Sequence, residues 1–206
     1  MSALAGFRHL AGYFGPAQQL ALLGELRVVI RKAPLFVPRM PRTGKAFSVR
    51  MSNCGTLGWV SDREGGYRYQ ATHPETGLPW PAMPPQLTDL WDEVADFRHR
   101  PEACLINYYS AGTRMGSHRD ADEEDFAAPV VSVSLGDDAV FHVGGARRGD
   151  AKQRLTLRSG DVVVLGGEAR LAYHGIDRVL SGTSTLLDEG GRLNLTLRRV
   201  GKAPSE

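Results

Sequence analysis

From Cys104 onward the chain is a succession of short apolar runs cut by turn residues, and this pattern restricts the fold more than any other feature. Candidate strands cover 105–109, 130–135, 139–143, 155–157, 162–165, 171–173 and 193–200, with Gly-Asp, Gly-Gly and Ser-Gly pairs between them. Short strands at this spacing predict a β-sandwich or jelly roll rather than alternating β and α units. The Gly-Gly pairs beginning at 144, 166 and 190 sit at turns, without the strand-to-helix context of a phosphate-binding loop.

The last of these strands carries chemistry. Arg192-Leu193-Asn194-Leu195-Thr196-Leu197-Arg198 alternates strictly, placing three leucines on one face and Arg192, Asn194, Thr196 and Arg198 on the other. If the polar face turns inward, two guanidinium groups need anions to meet, and a small dicarboxylate such as 2-oxoglutarate offers one at each end. If it turns outward, the arginines simply sit in water.

His118-Arg119-Asp120 supplies a second constellation. In an extended segment, residues two apart point to one side, so His118 and Asp120 can converge on one point, and His174 in Tyr-His-Gly-Ile can complete the set from a distant strand. Two histidines and a carboxylate with other positions open form the facial triad of non-haem Fe(II) oxygenases. By themselves the three residues are equally compatible with a chance loop motif and an ordinary partly buried histidine.

The N-terminal part reads differently. Gly15-Pro16 opens a helical pattern that Pro34 ends, and a second helix is predicted over 85–98, stopped by Pro101. Between them, residues 35–84 are rich in Pro, Gly, Arg and aromatics. Aromatic rings interleaved with arginines stack on nucleobases and bind phosphates, yet the same residues can form a hairpin with a buried aromatic core. The core reading is favoured for Trp80; Trp59, next to Gly58 at an apparent turn, is open to either. Residues 1–60 hold eight basic residues against one acid, while residues 101–140 hold two against eight. The basic portion fits a surface that meets phosphates and the acidic one favours a cation near the triad, the alternative being two solvated faces.

A chain of 206 residues is long enough for one domain with a substantial core. The longest apolar runs fall far short of a membrane span, and the start lacks a basic region followed by an apolar stretch, so a cytoplasmic protein is expected. Cys54 and Cys104 have no metal-binding spacing and read as buried thiols in a reducing compartment.

Taken in order, Asn107-Tyr108-Tyr109, His118-Arg119-Asp120, Pro129 to Gly136, Gly160 to Val164, Tyr173-His174-Gly175-Ile176 and Arg192-x-Asn194-x-Thr196-x-Arg198 closely resemble the AlkB family of Fe(II)/2-oxoglutarate dioxygenases, in particular its bacterial branch that repairs alkylated DNA. The similarity reaches upstream through Met51 to Gly55, Trp59 and Pro79 to Pro84, and covers roughly residues 35–200.

The resemblance implies a mainly β fold with flanking α-helices: a double-stranded β-helix (jelly roll) over 101–206, and N-terminal helices with a nucleotide-recognition lid over 1–100, integrated into one domain. It implies Fe(2+) at His118, Asp120 and His174, and 2-oxoglutarate at Arg192 and Arg198 with Asn107, Tyr109 and Asn194. Trp59 would stack on the damaged base with His118 on its other side. Asp122 would select a cationic base, and Tyr67 and Arg148 would lie near the substrate. Arg119 stands at a position that varies in the family and receives no role.

The implied reaction is oxidative dealkylation of 1-methyladenine and 3-methylcytosine in DNA, single-stranded or with the base flipped out, and in RNA as a further substrate. 2-Oxoglutarate and O2 are consumed to succinate and CO2, and the methyl leaves as formaldehyde. A monomer suffices, and no membrane partner is implied. The alternative is an Fe(II)/2-oxoglutarate hydroxylase or demethylase acting on RNA, protein or a small molecule; for the last two the aromatic, basic N-terminal segment has no purpose. A metal-free nucleic-acid-binding module should lack one of the three ligands, and a zinc hydrolase gives no reason for paired inward arginines.

Overall fold

A computed structural model of the chain describes residues 4–202, so the first three residues of the 1–100 span and the last four of the 101–206 span lie outside the described residues. The elements run β1 (Phe7–Leu10), α1 (Pro16–Lys32), β2 (Arg50–Gly55), β3 (Gly58–Asp62), β4 (Gly66–Gln70), α2 (Pro85–Val94), β5 (Ala103–Tyr109), β6 (Met115–His118), β7 (Val130–Gly136), β8 (Asp138–Val143), β9 (Gln153–Leu157), β10 (Val162–Leu165), β11 (His174–Leu180) and β12 (Arg192–Arg198). Every named strand pair is antiparallel.

A six-stranded sheet has the order β1-β10-β7-β12-β5-β2, and a four-stranded sheet the order β6-β11-β8-β9. The crossovers between non-consecutive strands produce a jelly roll. β12 lies near the middle of the larger sheet, paired with β5 on one side and β7 on the other, and all seven of its residues are buried. Its alternation is the predicted one. Leu193, Leu195 and Leu197 join a core with α1 and α2, through Leu22, Leu26, Leu87 and Trp91. The opposite face looks into the space between the sheets, where Val163, Phe141, Val143 and Ile176 form a second core.

Both helices therefore cover the outer face of the larger sheet. Pro16 occupies the first turn of α1, where its missing N–H costs nothing, and Gln18 Oε1 accepts from the Gly15 N–H at 2.9 Å. Arg31 and Lys32 in the last turn complement the helix dipole. α2 stops at Val94, short of the predicted residue 98: the Ala95 N–H closes the last turn on the Trp91 carbonyl, and Asp96 turns the chain into the left-handed region at φ 47°. Among the described residues no helix is long and apolar enough to cross a membrane.

The N-terminal hundred residues contribute to the sheets as well as to the helices, because β1 and β2 form the two edges of the six-stranded sheet. A separate hairpin, β3–β4, stands beside β2. Trp59 is the second residue of β3 and only 8% exposed, not part of a turn. Gly58 is required just before it, since a Cβ there would come within 2.5 Å of the Trp80 ring. Trp80 is itself buried, with its indole N–H on the Gln70 carbonyl at 2.8 Å, which agrees with the core reading.

The strand expected over 171–173 is not formed. Residues 167–169 make a 3-10 turn whose Ala169 N–H is shared between the carbonyls of Ala5 and Gly166, and the strand begins at His174. Cys54 and Cys104 are free, buried and opposite one another across β2 and β5.

Candidate active site

His118 ends β6 and His174 begins β11, and the two residues are direct partners in the register of those strands. Gly175 makes this close pairing possible, because a Cβ there would lie 2.6 Å from the Met115 carbonyl oxygen and 2.9 Å from the His142 ring. Asp120 lies two residues past the end of β6 and still brings its carboxylate to the same point as His118.

The ligand atoms of His118, Asp120 and His174 all lie within 4.8 Å of one another, and these residues can hold a metal ion. Each imidazole has its Nδ1 against a backbone carbonyl, His118 on Gly116 at 3.0 Å and His174 on Ala172 at 2.9 Å. That fixes the tautomer and leaves Nε2 as the ligand atom. Asp120 Oδ2 is buried without a hydrogen-bond partner, 3.7 Å from His174 Nε2. An orphaned carboxylate oxygen between two oriented Nε2 atoms is the donor set a divalent cation such as iron needs.

The electrostatics favour the ligating forms. Burial works to raise the Asp120 pKa, but the charges of Arg198, His174 and His118 outweigh it and hold the carboxyl well below the usual range. Burial, followed by the neighbouring His118, pushes His174 down to about 4, so the imidazole is neutral near pH 7.

The triad opens on a cavity of about 260 Å³ between the sheets, walled as well by Asn107, Tyr109, Arg192, Asn194, Arg198, Trp59, Tyr67 and Asp122. Arg192 is almost fully buried. Its Nη2 donates to Ser134 Oγ at 2.9 Å and its guanidinium lies 5.3 Å from the centre of the Tyr109 ring, but Nε and Nη1 have no partner. A buried guanidinium with two idle donors is a receptor for an anion. Asn107 Oδ1 is likewise unpartnered.

Arg198 differs. It already meets two carboxylates of the protein, Asp120 Oδ1 at 2.7 Å and Glu123 Oε1 at 3.1 Å, and keeps only Nε unpartnered. Asn194 is satisfied internally, donating to Ser132 Oγ and the Val133 carbonyl and accepting from Thr196.

At the cavity mouth, the Trp59 indole N–H donates to Asp122 Oδ2 at 2.8 Å. Tyr67, half exposed, stacks on Trp59 with ring centres 5.6 Å apart and planes at 21°, and Phe47 meets the indole edge-on. Arg148 is not on the cavity wall; it is exposed, with Nη2 on the Ser117 carbonyl at 3.0 Å and its guanidinium over Tyr173. Arg119 lies over the same tyrosine.

Sequence reasoning missed Tyr69, Glu123 and Arg170, which surround Asp120 and Arg198. Arg170 is buried and donates to the Asp120 carbonyl at 2.7 Å and to Glu123 at 3.0 Å. Two of them carried a signal: Tyr69 lies two residues from Tyr67 in a strand and shares its face, and Glu123 lies in the acidic run 122–125, which reads from sequence only as a source of charge.

Comparison with known proteins gives a consistent picture. The profile of the 2OG-Fe(II) oxygenase superfamily matches residues 6–198. An alpha-ketoglutarate-dependent dioxygenase AlkB homolog of Caulobacter vibrioides is 48% identical over 203 residues, 98% of this chain and 91% of the relative. The alpha-ketoglutarate-dependent dioxygenase AlkB of Escherichia coli is 44% identical over 195 residues, 92% and 87% of the two chains. Shorter matches, each about half of this chain, are a DNA N(6)-methyladenine demethylase of Arabidopsis thaliana at 46% identity over 35% of its length and a tRNA demethylase of Schizosaccharomyces pombe at 34% over 36%. Among solved structures, that of OsALKBH1 superposes with a TM-score of 0.77 at 28% identity, covering 97% of this chain and all of that one.

Proposed function

Because the chain belongs to the 2OG-Fe(II) oxygenase superfamily and is an α-ketoglutarate-dependent dioxygenase of the AlkB type, we propose that it removes alkyl groups from the ring nitrogens of nucleobases, 1-methyladenine and 3-methylcytosine among them. The substrate is DNA that is single-stranded or has the base flipped out, with RNA as the second reading, favoured by the half-length likeness to a tRNA demethylase. A cytoplasmic monomer is part of the same reading.

The observation that carries it is the shared cavity: the His-Asp-His cluster lies beneath a tryptophan whose indole N–H presents the Asp122 carboxylate. A base alkylated at adenine N1 or cytosine N3 is cationic. Asp122 then offers both a hydrogen-bond acceptor for the exocyclic amine and a countercharge that an unmodified base does not need. The β3–β4 hairpin acts as the lid, with Trp59 as the stacking surface and Tyr67 as its outer leaf. Arg148 on the rim is suited to a flanking phosphate.

Iron and 2-oxoglutarate, when bound, supply the oxidising power that hydroxylates the N-alkyl carbon at the expense of O2. The chain's part is placement. His118, Asp120 and His174 would hold the cation. Arg192, with two idle donors, would take a carboxylate of 2-oxoglutarate, and Asn107, Tyr109, Asn194 and the free edge of Arg198 would frame the rest of it. The hydroxylated alkyl group leaves the nitrogen as an aldehyde, formaldehyde in the case of methyl. Stacking on Trp59 fixes which carbon faces the metal and excludes other targets.

The test is anaerobic loading with Fe(II) and 2-oxoglutarate, then O2 and a short single-stranded oligonucleotide bearing one 1-methyladenine, read by mass spectrometry. Loss of one methyl that requires both iron and 2-oxoglutarate supports the reading. Succinate without demethylation of this or a 3-methylcytosine oligonucleotide overturns the substrate assignment.

A further inference from the structure

The β3–β4 hairpin is fastened to residues 120–123 at two points. Trp59 reaches Asp122 at one, and Tyr69, the direct register partner of Trp59, reaches Glu123 at the other. The Tyr69 hydroxyl donates to Glu123 Oε1 and accepts from Arg198 Nη1 at 3.0 Å. Burial raises the phenol pKa far above the ordinary value, so the proton stays on the oxygen.

Glu123 has no exposed side-chain surface and anchors two guanidinium groups, Arg198 at 3.1 Å and Arg170 at 3.0 Å. Both guanidinium groups act on the same aspartate: Arg198 Nη2 binds the Asp120 carboxylate at 2.7 Å, and Arg170 Nη1 binds the Asp120 carbonyl at 2.7 Å. A hydrogen-bonded path thus leads from the underside of the hairpin, through Tyr69, Glu123 and Arg198, to one of the three metal-ligating side chains. Two carboxylates against two guanidiniums leave the cluster balanced in charge, and removing one member strands another in a dry site.

We propose that Tyr69 and Glu123 are positioning residues that couple the seating of the β3–β4 hairpin to the orientation of Arg198 and Asp120, so that hairpin closure and cosubstrate binding reinforce each other. The coupling rests on the dealkylase reading only in treating the hairpin as the lid over the base. Arg198 has both Nη atoms engaged, so an incoming carboxylate approaches along its Nε edge or competes with Glu123 and Tyr69. In the second case the carboxylate displaces the Tyr69 hydroxyl directly, and in the first it reorients the guanidinium that the hydroxyl binds.

Tyr69→Phe keeps the ring and removes the hydroxyl. In the full chain, amide hydrogen exchange over residues 58–70 is compared with and without Mn(II) plus 2-oxoglutarate, and melting curves confirm that the variant is folded. The wild type should exchange more slowly in this hairpin when both ligands are present, and Tyr69→Phe should lose that difference by on the order of tenfold, the equilibrium factor of a hydrogen bond to a charged group. Equal ligand-dependent protection in both proteins, or none in the wild type, overturns the coupling.

A second measurement is the ratio of succinate formed to methyl removed. It should rise in Tyr69→Phe, whereas a merely structural role would slow both in parallel and leave the ratio unchanged. If the wild type demethylates no oligonucleotide yet its hairpin still responds to 2-oxoglutarate through Tyr69, the coupling stands and the nucleobase reading falls.

Discussion

Replacing Arg192 by methionine should stabilise the protein while abolishing its response to 2-oxoglutarate. The guanidinium is 1% exposed, with one hydroxyl partner at 2.9 Å and a tyrosine ring at 5.3 Å. Its other two nitrogens have no hydrogen-bond partner, and burial pulls its pKa down against the opposing influence of the neighbouring Tyr109 hydroxyl. The variant forfeits a charge-assisted hydrogen bond of about 1.5–3 kcal/mol and a cation–π contact of about 0.5–2 kcal/mol. Against this stands relief of an uncompensated buried cation, for which removal of a partner typically costs about 3–5 kcal/mol. Methionine fills similar space and adapts to irregular gaps.

At the midpoints of these ranges the balance favours the variant by about 0.5 kcal/mol, or roughly 1–2 °C in Tm for a chain of this size. 2-Oxoglutarate at a hundred times its Kd then adds about 2.7 kcal/mol to the wild type alone. Thermal melts of both proteins with Mn(II), with and without 2-oxoglutarate, should therefore show their order of stability reversing. A folded Arg192→Met that melts several degrees below the wild type without 2-oxoglutarate refutes the reasoning, because the guanidinium must then be satisfied by the protein itself.

Other perturbations probe the same site. Gly175→Ala places a methyl group 2.6 Å from the Met115 carbonyl oxygen, which should part β6 from β11 and weaken metal binding by about 10- to 100-fold; unchanged Mn(II) affinity by titration calorimetry would show that the strands yield freely. Trp59→Phe retains an aromatic face but loses the 2.8 Å bond to Asp122, so dealkylation should fall by about tenfold while substrate-free succinate production persists; parallel loss of both in a folded variant would count against the lid assignment. For pH, burial holds His174 at a pKa of about 4, below the ordinary 6.5 of histidine, so its contribution is present above pH 6.5 and lost as pH falls toward 4. In chelator the wild type should lose about 3 kcal/mol across that window relative to His174→Gln, and parallel stability curves for the two proteins would contradict the shift.

What could be read from the sequence was what repeats locally. The alternation of leucines with polar residues through 192–198 has a period of two, so the split between a helix-facing core and a cavity-facing row is legible without coordinates. His-x-Asp at 118–120 and the distant His174 likewise form a recognisable set. The Tyr69–Glu123–Arg198–Asp120 path was not legible, because it joins a hairpin, a loop and the last strand, none of which announces its partners. The end of α2 depended on a left-handed Asp96, a conformation aspartate tolerates but does not signal. The strand wrongly expected at 171–173 is apolar enough, but the Ala169 N–H donates to the distant Ala5 carbonyl and to the local Gly166 carbonyl, which holds the preceding segment in a turn. Trp59 looked like a turn residue because glycine precedes it, whereas that glycine answers to the Trp80 ring.

The pairing of His118 with His174 also bears on how the protein must be handled. β6 is four residues long and forms an edge of the smaller sheet, with β11 its one strand partner among the described residues. A cation gripped by one histidine from each strand is a rivet through that border, and chelation withdraws it. The outer ribbon is then free to fray and expose unpaired β11 backbone to neighbouring molecules. Stocks stripped with chelator should clump sooner than those kept with Mn(II), at equal concentration and temperature, and storage buffer becomes a determinant of yield as well as of activity.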